Sequence, residues 1–301
     1  MKPCVIFNPA ARGQKAERLR AQLNAIAQHA VLKQTAAAGD ARRLAREAIA
    51  EGCDTIVGAG GDGTVNEVLN GIGDAKAFDR VRLGVLPLGT VNVFALEMKI
   101  PFHAGKAWDL ILAGRETKID LGWAEFSEGG PAQRRYFMQL AGAGLDARAI
   151  ELVDWQQKKK IGPLAYVIAG LKALREPQPK ITVTASSHGL TGESALIGNG
   201  GHYGGRYNIF PGSSMRDGLL DVVVFPRVSW WRLLRCAGSL LALGRPPESL
   251  LRRLRTATLT VSAEPAAAFE VDGEWAGNLP ATFGVERERL RVIVPQGRDD
   301  L

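Results

Sequence analysis

Two unlike halves are predicted by this 301-residue sequence: an N-terminal α/β half built on a mostly parallel sheet, and a β-rich half forming an antiparallel sandwich or barrel. Over residues 1–125, strand-like apolar runs alternate with amphipathic helix patterns, as βαβ units require. From residue 126 onward, β-branched and aromatic runs are separated by Gly and Pro turns, the pattern of antiparallel sheet. A composition of 46% hydrophobic and 23% charged residues supplies apolar material for two cores.

In the first half the strands are read in "CVIF", "VLKQT", "TIVGA", "RLGVLPL" and "TKIDLGW". The helices between them are read over Gln14–His29, Asp40–Glu51, Val65–Ile72 and Ala104–Ala113. In the second half, strands are read in "KITVTAS", "ESALIGNG", "LLDVVVF", "ATLTVSA", "FEVDGEW" and "LRVIVP", interrupted by helices over Leu164–Leu174 and Trp230–Leu243. The polar Ser127–Arg135 reads as a loop near the domain junction, and there is no internal repeat.

Composition narrows the function. Cys4, Cys53 and Cys236 are odd in number and without C-x-x-C spacing, so neither a disulfide framework nor a zinc site is expected, and reduced thiols in cytoplasm are. The strand-like "CVIF" leaves no room for a signal peptide at the start, and no apolar run reaches the length of a membrane span. A net charge of +7 calls for an anionic partner: nucleic acid, membrane surface or a phosphorylated substrate.

The stretch "IVGAGGDGTVNEV", Ile56–Val68, places an aspartate inside a glycine-rich strand-to-helix turn. Gly58, Gly60 and Gly63 fit G-x-G-x-x-G, but no acidic residue ends the following strand to hold a ribose. Gly58 and Gly63 also have P-loop spacing, with Thr64 where the lysine should be. What remains is a nest of backbone N–H groups at a helix N-terminus, which favours phosphate. Asp62 within it has two readings: phosphoryl-transfer chemistry with magnesium, or a plain cap on a helix beginning near Thr64. "NPAARG" (Asn8–Gly13) and "PLGTVN" (Pro87–Asn92) also follow strands, and loops at strand carboxyl ends converge on one crevice in an open α/β sheet. Three such loops are expected to form a polyphosphate site.

"NPAARG", "GGDGTVNEVLNGI", "LGVLPLGTVNVFA", "IGNGGHYGGRYNIFPGSSMRDGLLDVVVF" and "VDGEW", in this order, resemble the diacylglycerol kinase catalytic family, which includes bacterial lipid kinases and sphingosine kinases. The resemblance spans nearly the whole chain. It implies an ATP-dependent lipid kinase, a phosphotransferase with an alcohol acceptor, with ATP between an N-terminal domain (1–125 plus a returning strand at about 289–301) and a C-terminal lipid-substrate domain (126–288). The nucleotide residues it implies are Asn8, Thr35, Gly60, Gly61, Asp62, Gly63, Thr64, Val65, Asn66, Gly89 and Thr90. It places the catalytic base in "DGE", as Glu274 with Asp272 beside it; the plain reading of Asp272-Gly273 is a type I′ hairpin turn. It also implies a metal at "SMRDGLLD", with Asp217 and the carbonyls of Ser214 and Leu219 as oxygen ligands for magnesium or calcium; otherwise the segment is a turn before a strand. The sequence departs from the family at Val93, where many relatives carry Asp, and at Gln14, where small or basic residues are common.

Arg227–Arg255 contains seven arginines and one acid, Glu248, and so holds six of the seven net charges. Trp230, Trp231, Arg232 and Arg235 stand on the helix within it, a combination suited to the interface of an anionic bilayer. The alternative is a helix packed on the β domain with solvated arginines. Expected partners are therefore a lipid substrate, an anionic membrane surface met peripherally at the inner face, and optionally a second copy of the chain; nucleic acid is not expected. The rival functions are a kinase of a soluble acceptor, of NAD kinase type, and a catalytically silent lipid or nucleotide binder on the same fold.

Overall fold

The computed structural model describes residues 1–9, 26–153, 164–186 and 188–295. Most of the helix expected over Gln14–His29, with Ala10–Gly13 of the first loop, lies outside them. The chain divides into an N-terminal unit, Met1–Leu121 with Arg287–Leu301, and a C-terminal unit, Gly122–Glu286.

In the N-terminal unit, β1 (Pro3–Phe7), β2 (Val31–Gln34), α1 (Asp40–Ala50), β3 (Thr55–Gly60), α2 (Asp62–Asp74), β4 (Arg82–Pro87), α3 (Val93–Glu97), α4 (Ala104–Ala113) and the start of β5 (Glu116–Phe126) follow in order. The sheet runs β2-β1-β3-β4, all parallel. The end of the last strand of the chain then lies parallel beside β4, Arg291 opposite Arg82. β1 and β3 are almost wholly apolar because both faces of a parallel sheet are covered. Ile6, Ile56, Leu69, Ile72, Leu83 and Leu86 are fully buried, each contributing about 1.5–3 kcal/mol on leaving water. α2 starts at Asp62, three residues before the expected Val65, since Gly63 and Thr64 are weak helix formers that hide the first turn from a propensity reading. The short α3 was not expected.

In the C-terminal unit the elements are β6 (Gln133–Phe137), β7 (Leu140–Gly144), α5 (Leu145–Glu151), α6 (Leu164–Ala173), β8 (Lys180–Ala185), β9 (His188–Gly192), β10 (Ser194–Gly198), β11 (His202–Tyr203), β12 (Tyr207–Asn208), β13 (Leu220–Phe225), α7 (Trp230–Leu243), β14 (Arg252–Thr256), β15 (Thr258–Glu264), β16 (Ala268–Val271), β17 (Glu274–Asn278) and β18 (Ala281–Ile293). One antiparallel sheet has the order β14-β13-β10-β7-β16-β17; a second joins β9, β8, β15 and the first half of β18. Between them Phe269 of β16 meets Phe126 and Phe283 edge-on, at centroid distances of 5.1 and 5.4 Å, in a shared apolar core. This is the expected antiparallel sandwich. "FEVDGEW" is two strands and not one, folded back at Asp272-Gly273, and α5 went unexpected because its seven residues are too few to show a period.

Candidate functional site

In the N-terminal unit the strand-end loops are stitched together by backbone. The amides of Leu88 and Gly89 both donate to the Gly60 carbonyl, at 2.9 and 3.0 Å. Gly89 lies so close to Gly61 that a Cβ on it would stand 2.4 Å from the Gly61 Cα, so only glycine lets these two loops touch. Asn92, buried and at φ 55, closes the second loop: its amide donates to the Gly89 carbonyl at 2.9 Å, and its Oδ1 accepts from the Gly89 N–H at 3.1 Å. Asn8 and Thr35 join the same edge: Asn8 N–H donates to Ala59 O, and Thr35 donates both its N–H and its hydroxyl to Phe7 O.

Asp62 opens α2 with Gly61 as its N-cap, and no side chain caps that helix. Its carboxylate instead accepts from Val93 and Phe94 N–H, both at 3.1 Å, and so caps α3. Burial pushes the Asp62 carboxyl up from its ordinary range, while the α3 amides pull it back. Gly60, Gly61, Gly63, Thr64, Gly89 and Thr90 thus come together around an uncapped helix N-terminus, a setting that fits phosphate. Val65, Asn66 and Thr35 are buried. Sequence reading missed Glu67, whose carboxylate accepts from Gly39 and Ala41 N–H at 2.8 and 2.9 Å and caps α1. No local spacing signals it, because its partners lie 26 and 28 residues away.

In the C-terminal unit, Asp272 and Gly273 both have positive φ, 48 and 85, and join β16 to β17 as a two-residue hairpin turn. The Asp272 carboxylate accepts from three successive amides, those of Met138, Gln139 and Leu140, at 2.8–3.1 Å. This makes it an anchor for the turn. Glu274 is the first residue of β17, opposite Val271, and is half-buried. Also missed were the buried carboxyls Asp120, which accepts from Glu288 N–H at 2.8 Å, and Glu270.

The metal segment is engaged otherwise. Asp217 Oδ1 accepts from Leu219 N–H at 2.9 Å, and its other oxygen is bound by Arg255, whose Nε lies 2.9 Å from Asp221 Oδ1. A guanidinium therefore bridges the two acids and occupies one Asp217 oxygen. Among the described residues no cluster of three His, Cys, Asp or Glu side chains could hold a metal.

The sequence profile of the diacylglycerol kinase catalytic domain matches residues 2–124, and that of the YegS C-terminal NAD kinase beta sandwich-like domain matches residues 139–294. The chain is also 30% identical over 268 residues to a diacylglycerol kinase of Staphylococcus aureus (strain JH9), across 85% of this chain and 79% of that protein. The chain belongs to the diacylglycerol kinase catalytic family. Its membership makes it a kinase, with ATP as co-substrate. A crystal structure from Bacillus anthracis str. Sterne, assigned as a diacylglycerol kinase, has a TM-score of 0.76 at 23% identity over 98% of each chain. Yeast NADH kinase complexed with NADH has a TM-score of 0.53 at 11% identity, over 100% of this chain and 85% of that one. At these identities the two structures establish the shared fold.

Proposed function

We propose that this kinase phosphorylates a lipid hydroxyl of the diacylglycerol type at a membrane surface. The observation that carries the choice of acceptor is α7. None of its residues is buried, and five of the eleven exposed large apolar side chains among the described residues lie on it: Trp230, Trp231, Leu234, Leu241 and Leu243. Trp231 is 81% exposed, which a packed helix would not leave. Leu240 alone of its leucines is packed against a described core cluster, so the helix rests on the sandwich by one edge. Basic residues beside this face supply charge complementarity to anionic lipid at the inner face of a membrane. No helix among the described residues is long and apolar enough to cross a membrane.

In the reaction, ATP supplies the γ-phosphoryl group. The amides at the start of α2, with the Gly89–Thr90 backbone packed beside them, would receive its phosphates, and Asp62, its oxygens oriented by the α3 amides, would help hold a magnesium ion that offsets the phosphate charge. Glu274 takes the proton of the acceptor hydroxyl as its oxygen bonds to the γ-phosphorus and the bond to the β-phosphate oxygen breaks, releasing ADP. Asp272 holds the turn that presents Glu274.

The test is incubation of the purified protein with labelled ATP, magnesium and total bacterial lipid extract, with NAD in a parallel reaction. Label in a lipid product supports the reading. Label in NAD alone assigns a soluble acceptor, and no label in either assigns a silent binder.

A further inference from the structure

Glu270 is an acid with 1% exposure in the middle of an apolar core strand, and the mechanism above does not use it. Its Oε2 accepts the N–H of Gly273, the residue before Glu274, at 2.6 Å. Its other oxygen, Oε1, is buried with no donor to accept from. That oxygen lies beside Gly142 of β7, where a Cβ would stand 2.7 Å from Glu270 Oε1 and 2.3 Å from Asp146 Oδ2. Glycine at 142 therefore makes the space in which two carboxyl groups meet. Asp146, at the start of α5, in turn accepts a hydrogen bond from the Tyr203 hydroxyl. A proton on Glu270 Oε1, donated to Asp146, completes the series: Tyr203 to Asp146, Glu270 to Asp146, and Gly273 to Glu270. Burial and the neighbouring Asp146 carboxylate push Glu270 well above the usual carboxyl range, in keeping with that proton.

A buried acid pair is a costly way to fill a core where an apolar residue would pack as well. It does supply what an apolar residue could not, an acceptor aimed at the Gly273 amide. The Asp272-Gly273 turn is then held from two sides, by three amides on the Asp272 carboxylate and by Glu270 on the turn's own amide.

We propose that Glu270 is a positioning residue for Glu274: its grip on the Gly273 amide fixes the direction in which the turn delivers the Glu274 carboxylate, with Asp146 and Tyr203 holding Glu270 in place. This rests on Glu274 being the base in the reading above. The test measures kcat and the KM for ATP with labelled ATP and total bacterial lipid extract. Glu270→Leu should lower kcat at least about 30-fold, the scale of a misplaced reacting group, with the KM for ATP within about twofold. Glu270→Gln should recover most of that loss, since its amide accepts from Gly273 and donates to Asp146. Wild-type kcat in Glu270→Leu overturns the proposal, as does a KM for ATP that rises in step with the loss, and as does a Gln variant no better than Leu. If Glu270→Leu does not fold, Tyr203→Phe is measured: kcat should fall severalfold at unchanged KM for ATP, and wild-type kcat there overturns the proposal. Full activity in Glu274→Gln would remove the underlying reading, whereas full activity in Glu270→Leu beside an inactive Glu274→Gln removes the positioning alone.

Discussion

Asp62 accepts the amide N–H of Phe94 at 3.1 Å across 32 residues of sequence. With the neighbouring bond from Val93 it ties the glycine turn after β3 to the first turn of α3, so one carboxylate stands at the start of α2 and caps α3. On the function proposed above, the cap and the carboxylate that serves the reaction are the same side chain.

Asp62→Asn should therefore fold, with a modest loss of stability of about 1 kcal/mol from the weakened cap, and lose turnover by at least about 100-fold. Thermal melting and steady-state kinetics separate the two effects. Turnover near wild type with only the melting shift would reduce Asp62 to a cap on α3.

With Glu274 as the proposed base, Glu274→Gln should keep ATP binding and lose lipid phosphorylation sharply, because a base on the acceptor hydroxyl does not act on the nucleotide. Equilibrium ATP binding read beside kcat decides it. A parallel fall in ATP affinity would give Glu274 a structural or metal-binding role.

The parallel strands of the N-terminal unit and most helices were legible because each carries its own period, and the glycine turn because glycine marks it; β6, β7, β9, β11, β12 and β14 were not read, being short, Gly-rich or charged, and Gln133–Arg135 of β6 falls in the stretch expected to be a loop. The rest of what was not legible depends on partners distant in sequence. Glu67 caps a helix that begins 27 residues before it, Asp62 caps one that begins 31 residues after it, and Arg255 meets an aspartate 38 residues away. Nothing in the sequence singles out Glu270, since only the fold brings it to Asp146 and Gly142. The D-G dipeptide was readable as a turn, but the three amides that Asp272 gathers come from more than 130 residues earlier.

The Arg255 bridge predicts indifference to divalent cations. Chelation should leave the wild-type melting temperature unchanged. Arg255→Met should cost about 1–2 kcal/mol, below the about 3–5 of a fully buried pair because Arg255 is itself partly exposed. With the guanidinium gone, magnesium or calcium should raise the variant's melting temperature and leave that of the wild type unmoved. A wild-type protein that melts lower after chelation would show that a metal, and not Arg255, holds this segment.

Glu270 also predicts a pH dependence of stability. In the unfolded chain it titrates near about 4.3, whereas burial and Asp146 raise it in the folded chain. Above the unfolded value the folded state binds more protons, so rising pH costs stability until the folded value is passed. Asp146, raised by the same burial, acts in the same direction, and Tyr203, raised further, stays neutral; Asp272 and Cys236 are the other titratable groups acting on this cluster. Glu270→Gln should therefore gain melting temperature on the wild type between about pH 5 and about pH 8. A constant difference across that range would mean that Glu270 does not hold its proton in the fold.

The α7 helix tests the acceptor class without knowing the lipid. Trp230, Trp231 and Leu234 stand exposed beside Arg235, in the segment that carries nearly all of the net charge, and a kinase of soluble acceptors has no use for that face. Docking on an anionic bilayer should combine apolar insertion with attraction of about 1 kcal/mol per basic residue near the surface, the second part screened by salt. Co-sedimentation with phosphatidylglycerol-rich vesicles should therefore weaken as salt rises and fall further in a Trp230→Ala, Trp231→Ala double variant, with phosphatidylcholine vesicles binding poorly throughout. Turnover on a water-soluble short-chain acceptor should be largely spared in the same variant, because the tryptophans are not part of the phosphate loops or the Glu274 turn. Equal sedimentation of variant and wild type would make the exposed tryptophans irrelevant to membranes and would move a soluble acceptor to first place.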